Sequence, residues 1–517
     1  MHFPCPESTP YTQMVEGGKK LNQWSRKPVD DQGNRPPSKL PIILFSLLLG
    51  CCLVPVGNQI ASAKPAQSVN APPTKAESLP ETTKEGFGEE TEQWFRKLFK
   101  RALQVPDEKA QRALAEVLKH PEKFHFSILA STGEGQAVPA QLKVHNYRVG
   151  EEVIYPASAM KTFGSLGALM VFEENRKKHP WLSLNAPLKA SSQQCKKTDR
   201  SNLHNRAQTL AHEIRKTQLV SSNAGFNFLF DLVSKKGFVE LFSHMFPTVE
   251  MNRQIRTSKS SRTRSSCQSF AICSDGQGGT GTGERKQFSL PCPRVNAPLA
   301  ITPSPTPTEL GRKKPNMRLG KGQLTSSGKK KNKPMDFSYK NQVGFEDYQR
   351  LMMALHFPGM ALPMGDPQSN RLLKTLPELI SEPWLEFLRL AMAQYPRYSD
   401  NPVYPNKSTS ETRFKPMISG IRLAGINDDD LLYSNKAGKA LGFHLDNAYI
   451  AMGPKLGVLE GKAVGQGAVT RKLFITIGMY VNKNGILNDN QYQYHSISKP
   501  VLKAIGFAIG EYLQGRL

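Results

Sequence analysis

One stretch limits what this chain can fold into more than any other. Residues 153–163 run Val-Ile-Tyr-Pro-Ala-Ser-Ala-Met-Lys-Thr-Phe. A short extended segment ends at Pro156, and we expect a helix to begin there and to continue through Phe172. Ser158 then lies in the first helical turn, with Lys161 three residues later on the same face. The pattern brings a hydroxyl and an amine together where a helix N-terminus offers free backbone N–H groups.

This pair of side chains suits nucleophilic catalysis. A serine hydroxyl is a weak nucleophile until a neighbouring base removes its proton. A buried lysine amine can be that base, because burial lowers the pKa of the amine. A lone Ser-x-x-Lys pair also arises by chance in a chain of 517 residues, where it usually marks a solvated helix face. The interpretation therefore needs support from the rest of the sequence.

The formal net charge of +26 first suggests a nucleic acid or an anionic surface as partner. Much of that charge lies in residues 253–333, within a stretch rich in Ser, Thr, Gly and Pro. We predict that residues 252–334 form a disordered, solvated insertion, because they contain too little apolar surface to fold. A nucleic-acid partner is therefore not expected.

The seven cysteines are too few and too scattered for a disulfide framework in a chain of this length. No Cys/His spacing matches a zinc site. We expect neither a metal nor an organic cofactor.

The N-terminal residues 1–63 have the pattern of an export signal. An apolar run over residues 41–56 follows Lys39 and precedes Ala61-Ser-Ala63. The run is shorter than a comfortable membrane span. Cys51 follows Leu-Leu-Gly, as the lipidated cysteine of a lipoprotein signal does. We expect an exported protein, either periplasmic or held outside the cytoplasm by a lipid or by an uncleaved membrane anchor.

Residues 64–88 have the composition of a linker, and hydrophobic periodicity predicts regular elements after them. We expect helices over residues 89–119 (divided at Pro106), 209–219, 345–355, 370–380, 384–395 and 500–513. Strands are expected over residues 124–130, 140–147, 431–438, 444–452 and 472–480. The elements fall in residues 89–251 and 335–517, which we predict to form one domain interrupted by the insertion.

Two further motifs support the Ser-x-x-Lys pair. Ser221-Ser-Asn223 stands where a second helix begins, with Asn227 one helical turn later. Lys436-Ala-Gly438 stands at the end of a strand and is followed by another strand. Each motif taken alone can be explained by a structural role, such as a helix cap or a solvated strand end. Such roles do not explain why all three motifs occur in one chain.

The order of these motifs resembles that of the class A β-lactamase and penicillin-binding-protein family of serine acyl-enzymes, whose motifs are S-x-x-K, S-D-N and K-T-G. The resemblance covers roughly residues 90–250 and 335–517. The gap between the second and third motifs is longer than in the family, and the insertion accounts for the excess. The resemblance implies an α+β sandwich of about five mostly antiparallel strands flanked by helices, with an all-helical subdomain and the active site between them.

The resemblance also implies roles for individual residues. Ser158 attacks an amide carbonyl and Lys161 takes its proton, while Ser221 and Lys436 relay a proton and hold a substrate carboxylate. The backbone N–H groups of Ser158 and Lys439 form the oxyanion hole. The implied substrate-binding residues are Asn223, Asn227, Gly438 and Lys439.

Three departures from the family pattern affect the expected activity. Ser222 replaces the Asp of the second motif, and Ala437 replaces a hydroxyl that binds the substrate carboxylate. Class A enzymes also use a glutamate to activate water for deacylation. Glu250 is the nearest acid after the second motif, but its surroundings do not match the family's glutamate loop. Without such a base, acylation is expected to proceed while deacylation is slow.

Three functions remain open. The first is an exported serine hydrolase of the β-lactamase type that acts on β-lactams or a related amide or ester. The second is a penicillin-binding peptidase that acts on D-Ala-D-Ala peptides, which the uncertain deacylation base favours. The third is a degenerate domain that only binds wall peptides. The sequence leaves the oligomeric state open.

Overall fold

The structure is a computed structural model of the 517-residue chain. It describes residues 88–190, 199–252, 270–273, 287–290, 317–325, 327–338, 340–364, 373–404, 410–459, 462–463 and 468–517. The signal-like segment, Cys51 and nearly all of the predicted linker lie outside the described residues. Of the helices in the described ranges, none combines the length and the apolar character that a bilayer crossing requires.

Eleven α-helices lie in the described ranges. They are α1 (Gly88–Ala102), α2 (Glu108–Lys119), α3 (Lys161–Lys178), α4 (Leu210–Leu219), α5 (Asn223–Phe242), α6 (Phe345–His356), α7 (Leu376–Leu379), α8 (Glu382–Ala393), α9 (Glu411–Phe414), α10 (Ile418–Leu423) and α11 (Lys499–Leu513). A 3-10 turn over Ala157–Met160 precedes α3.

Seventeen strands accompany these helices in the described ranges. They are β1 (Ser127–Glu134), β2 (Lys143–Tyr147), β3 (Leu188–Ala190), β4 (Phe270–Cys273), β5 (Gln287–Leu290), β6 (Arg318–Leu319), β7 (Gly322–Leu324), β8 (Lys330–Lys331), β9 (Met335–Asp336), β10 (Ala361–Pro363), β11 (Leu373–Thr375), β12 (Leu431–Ala440), β13 (Phe443–Met452), β14 (Val458–Leu459), β15 (Lys462–Ala463), β16 (Arg471–Tyr480) and β17 (Ile486–Leu487).

The central sheet has the order β12-β13-β16-β1-β2, and each of its pairs is antiparallel. One apolar cluster packs α1, α2, α10 and α11 against one face of the sheet. A second cluster joins the opposite face to α3, α5, α6 and α8. The predicted α+β sandwich of about five antiparallel strands with a helical part is therefore confirmed. Since β12 is an edge strand, one of its backbone edges is free to contact other elements.

Most predicted elements agree with the structure within a few residues, because their apolar residues recur at the period of the element. Two predictions are wrong. The helix expected to begin at Pro156 begins at Lys161, after the 3-10 turn. Of the helix predicted over residues 370–380, residues 370–372 lie outside the described ranges and Leu373–Thr375 is a strand paired with Ala361–Pro363.

The prediction of disorder over residues 252–334 does not hold where the structure describes that segment. Strand β4 pairs with β3 and β5, while β6 pairs with β9. Strand β7 pairs with β8 and also with β17, which lies near the C-terminus. Composition measures only local folding tendency, whereas β4 and β7 also pair with β3 and β17, which lie far along the chain.

Candidate active site

The three motifs meet where the 3-10 turn packs against the edge strand β12. A Cβ atom added to Gly438 would lie 2.1 Å from the Pro156 carbonyl oxygen and 3.0 Å from the Ser158 backbone nitrogen. Only glycine fits there, because the backbones approach too closely for any side chain. Gly438 therefore lies directly against the turn that carries Ser158.

The 3-10 geometry aligns Ser158 with Lys161. The Lys161 backbone N–H donates to the Ser158 carbonyl oxygen and closes the turn. In a 3-10 turn, side chains three residues apart eclipse one another, so Ser158 and Lys161 share a face, as the sequence predicts. Ser158 is partly exposed, whereas Lys161 is fully buried. A substrate therefore has access to the hydroxyl but not to the amine.

Lys161 links the first motif to the second. Its Nζ donates to the Ser221 carbonyl oxygen at 2.5 Å, to the Ser221 Oγ at 3.2 Å and to the Asn223 Oδ1 at 2.7 Å. Of these acceptors, only the Ser221 hydroxyl can reverse its role and donate a proton. When Lys161 is neutral, its nitrogen can therefore accept a hydrogen bond from the Ser221 hydroxyl.

Burial lowers the pKa of Lys161 well below its usual value, and the positive charge of Lys436 lowers this pKa further. No carboxylate among the described residues contributes to the shift. A buried amine without an anionic partner exists readily in its neutral form, which is the form that accepts a proton.

Lys436 is the second buried cation of the site. Its side chain is 2% exposed. Burial lowers its pKa to about 7, and the charge of Asp446 partly opposes this shift. The strand pairing sets Lys436 opposite Asn447 and sets Ala437 opposite Asp446. Because successive side chains of a strand point to opposite faces, Lys436 and Asp446 lie on different faces of the sheet.

Two residues in or beside the motifs have left-handed backbone conformations. Ala157 has a φ of 49° and Ser221 a φ of 58°. A non-glycine residue in this region costs roughly 1 to 3 kcal/mol, and such strain concentrates at functional sites. The surrounding packing fixes these two positions, each of which adjoins or belongs to a motif.

In the second motif one residue caps α5 and another contacts Lys161. Ser222 is the N-cap of α5, and its side chain accepts from the Gly225 N–H at 3.1 Å. Ser and Asp are similarly good caps, so this substitution conserves the cap. Asn223 is exposed and contacts Lys161 directly. Asn227 is 5% exposed, and its Oδ1 receives no hydrogen bond from a described residue.

Two further residues considered in the sequence, Lys439 and Glu250, form no hydrogen bond with Lys161 among the described residues. Lys439 lies in β12 after Gly438, and its Nζ sits 5.2 Å from the centroid of the Tyr494 ring. The role of its backbone N–H in the oxyanion hole stays a prediction. Glu250 is exposed and forms a backbone bridge with Gln342. Neither the hydrogen bonds nor the charges that act on Lys161 include Glu250.

A buried hydrogen-bond network behind β12, which contains Lys415 and Asp446, was not predicted from the sequence. The Lys415 Nζ donates to the Met392 carbonyl at 3.0 Å, to the Tyr433 carbonyl at 2.5 Å and to the Asn435 Oδ1 at 3.1 Å. Asp446 is fully buried and accepts from the Tyr433 Oη at 2.5 Å and from the Asn435 Nδ2 at 2.7 Å. The network fastens the strand that carries Lys436. Nothing in the sequence near Lys415 marks it as buried, since lysine is normally exposed.

The chain has no match to a family model or to a curated protein. Solved structures with a similar fold include a β-lactamase from Sphaerobacter thermophilus, with 12% identity, coverage of 77% of this chain and 96% of that chain, and a TM-score of 0.37. A β-lactamase from Streptosporangium roseum has 14% identity, coverage of 78% of this chain and 99% of that chain, and a TM-score of 0.35. The penicillin-binding protein PBP-A has 11% identity, coverage of 79% of this chain and 97% of that chain, and a TM-score of 0.35.

Proposed function

We propose that this protein is an exported serine acyl-enzyme of the β-lactamase type, with Ser158 as nucleophile and Lys161 as general base. One observation carries the proposal. A fully buried lysine, depressed in pKa and free of any described carboxylate partner, lies on the face of the partly exposed Ser158. A structural lysine is normally exposed or paired with an acid.

The geometry supports a simple acylation step. The Ser158 Oγ forms a bond to the substrate carbonyl carbon while its proton passes to the Lys161 Nζ. Lys161 returns this proton through the Ser221 hydroxyl to the leaving nitrogen as the C–N bond breaks. Burial, together with the positive charge of Lys436, favours the neutral form of Lys161 before the reaction. The backbone N–H of Ser158, beside Gly438, is a donor for the developing oxyanion.

The proposed substrate is a β-lactam or a related amide or ester. Hydrolysis of the acyl-enzyme needs a base for water, and among the described residues no carboxylate acts on Lys161. This observation favours a second candidate, a penicillin-binding peptidase acting on wall peptides, whose adduct with a β-lactam persists. Export rests on the signal-like pattern of residues 41–63.

Intact-mass spectrometry over time, with penicillin added to the purified protein, tests the proposal. We expect one adduct on the wild type and on the control Ser183→Ala, whose serine is exposed and distant in sequence, and none on Ser158→Ala. A transient adduct with released product identifies a β-lactamase, and a persistent adduct identifies the peptidase. If no adduct forms on the wild type, or if Ser158→Ala is still modified, the β-lactam proposals are wrong.

A further inference from the structure

A basic surface lies on the described part of residues 317–338, which we name the basic hairpin. Its exposed lysines are Lys321, Lys329, Lys330, Lys331 and Lys333. Asp336 is its single acidic residue, and the Asp336 carboxylate accepts from the Ser338 backbone N–H at 2.8 Å. No carboxylate of a described residue forms an ion pair with any of the five lysines. The surface therefore carries a dense, uncompensated positive charge.

The basic hairpin is fixed to the body of the domain by its apolar side. Phe337 is 1% exposed, and its ring centroid lies 5.3 Å from that of Tyr155 and 5.7 Å from that of Phe443. Leu319 and Met335 pack on the same cluster. With one side buried against the domain, the hairpin presents its lysines to solvent from a defined position.

This anchoring places the basic hairpin close to the nucleophile. Tyr155 stands three residues before Ser158, a span of at most about 10 Å along the backbone. Lys340 follows the hairpin, and its Nζ lies 5.9 Å from the Tyr155 ring centroid and 5.6 Å from that of Phe337. Burial lowers the pKa of Lys340, and no described carboxylate pairs with it. Lys340 thus lies between the hairpin and the segment that leads into the Ser158 turn.

We propose that the basic hairpin binds a flexible linear polyanion, a polymer with repeated phosphate or carboxylate groups, and holds it beside the Ser158 turn. Strand β8 is the outer strand of the sheet β17-β7-β8. Its two residues, Lys330 and Lys331, point to opposite faces of the strand, and both are exposed. A flat lipid surface contacts one face only, whereas a flexible chain reaches both. The binding does not depend on whether Ser158 acylates.

Fluorescence anisotropy with labelled inorganic polyphosphate and labelled poly-L-glutamate tests this proposal. The hairpin variant carries K329E, K330E, K331E and K333E. The control carries K97E, K100E, K119E and K123E, which make the same charge change at exposed helix and turn positions. We expect the wild type to bind at least one polymer, the hairpin variant to bind at least about 100-fold more weakly, and the control to lose less than threefold. The slope of log K against log salt should fall by about 3 in the hairpin variant.

The two polymers distinguish phosphate from carboxylate as the recognised group, and tight binding of either supports the proposal. A neutral variant with K329Q, K330Q, K331Q and K333Q should also bind weakly while keeping the wild-type melting temperature, which separates loss of charge from unfolding. Equal losses in the hairpin variant and the control would overturn the proposal, because net charge alone would then explain binding. Binding to phosphatidylglycerol vesicles but to neither polymer would also overturn it.

Discussion

Lys161 and Lys415 are two buried lysines with similar hydrogen bonding but different charges around them. Each is nearly inaccessible, and each donates three hydrogen bonds from its Nζ. Burial lowers the pKa of both, that of Lys415 to about 7. They differ in the charges around them. The positive charge of Lys436 lowers the pKa of both lysines, but carboxylates, Asp446 first among them, oppose the shift only at Lys415.

This difference explains why one lysine suits catalysis and the other suits structure. At Lys415 the charge of Asp446 opposes part of the effect of burial on the pKa, and Lys415 in turn lowers the pKa of Asp446. Removing Lys415 therefore takes away a positive charge that stabilises the ionised form of Asp446. Lys161 has hydroxyl, amide and carbonyl partners and a neighbouring cation, so its neutral form is favoured. Two of its three acceptors belong to Ser221 and one to the exposed Asn223. Hydrogen bonding alone therefore does not distinguish the two lysines, whereas the presence of opposing carboxylates does.

The largest predicted effect is on chemistry. Lys161→Met should slow acylation by a β-lactam at least about 10⁴-fold, because the proton of Ser158 loses its acceptor. The free energy of unfolding should fall by only about 1 kcal/mol, since no buried carboxylate is left behind and water can reach Asn223. Stopped-flow acylation and urea unfolding measure the two quantities. A variant that acylates within tenfold of the wild-type rate would show that Lys161 is not the base.

Lys415→Met should give the opposite pattern. The variant leaves the Met392 and Tyr433 carbonyl oxygens and the Asn435 Oδ1 without their buried donor. Because an unsatisfied buried acceptor costs about 1 to 3 kcal/mol, urea unfolding should show a large loss of stability. The double variant Lys415→Met with Asp446→Asn removes both charges and should recover part of that loss. If the two single losses simply add in the double variant, the two charges are not coupled and the comparison with Lys161 fails.

Gly438→Ala should change the distance between β12 and the Ser158 turn without changing any charge of the site. The new Cβ would overlap the Pro156 carbonyl oxygen and crowd the Ser158 backbone nitrogen. Moving β12 away from the turn by about 1 Å should slow acylation about 100-fold while leaving the charges of Lys161 and Lys436 in place. Acylation kinetics test this, with Gly359→Ala as control, because a Cβ there meets no atom within 4 Å. Equal rates in the two variants would contradict the close approach.

The smallest predicted effect is a shift in pH dependence. The rate of acylation should rise with pH as Lys161 loses its proton. Burial and then the positive charge of Lys436 hold the pKa of Lys161 down, so Lys436→Met should raise that pKa and move the rising limb toward alkaline pH. A pH profile of kcat/KM for the residual acylation measures the shift. A limb that stays in place or moves to acid pH would show that Lys436 does not tune the base.

Much of the fold could be predicted because it depends on local pattern. The helix predicted over residues 209–219 is α4, with Thr209 as its cap, and the strands predicted near the C-terminus form β12, β13 and β16. Prediction failed where a distant partner decides the structure. Leu373–Thr375 is a strand because Ala361–Pro363 pairs with it. Leu319 and Phe337 belong to a polar, basic segment, yet they are ordered against residues far along the chain.

The sequence by itself determined the order of the three motifs and therefore which side chains the site contains. It also determined the capping of α5, because Ser222 bonds to a backbone group only three residues away. The tertiary structure alone decided which lysine is suited to act as a base. The chain has many lysines of the same intrinsic pKa, and the carboxylates that act on Lys415 but not on Lys161 separate these two buried lysines. Those neighbours are brought together only by folding, so no local pattern contains this information.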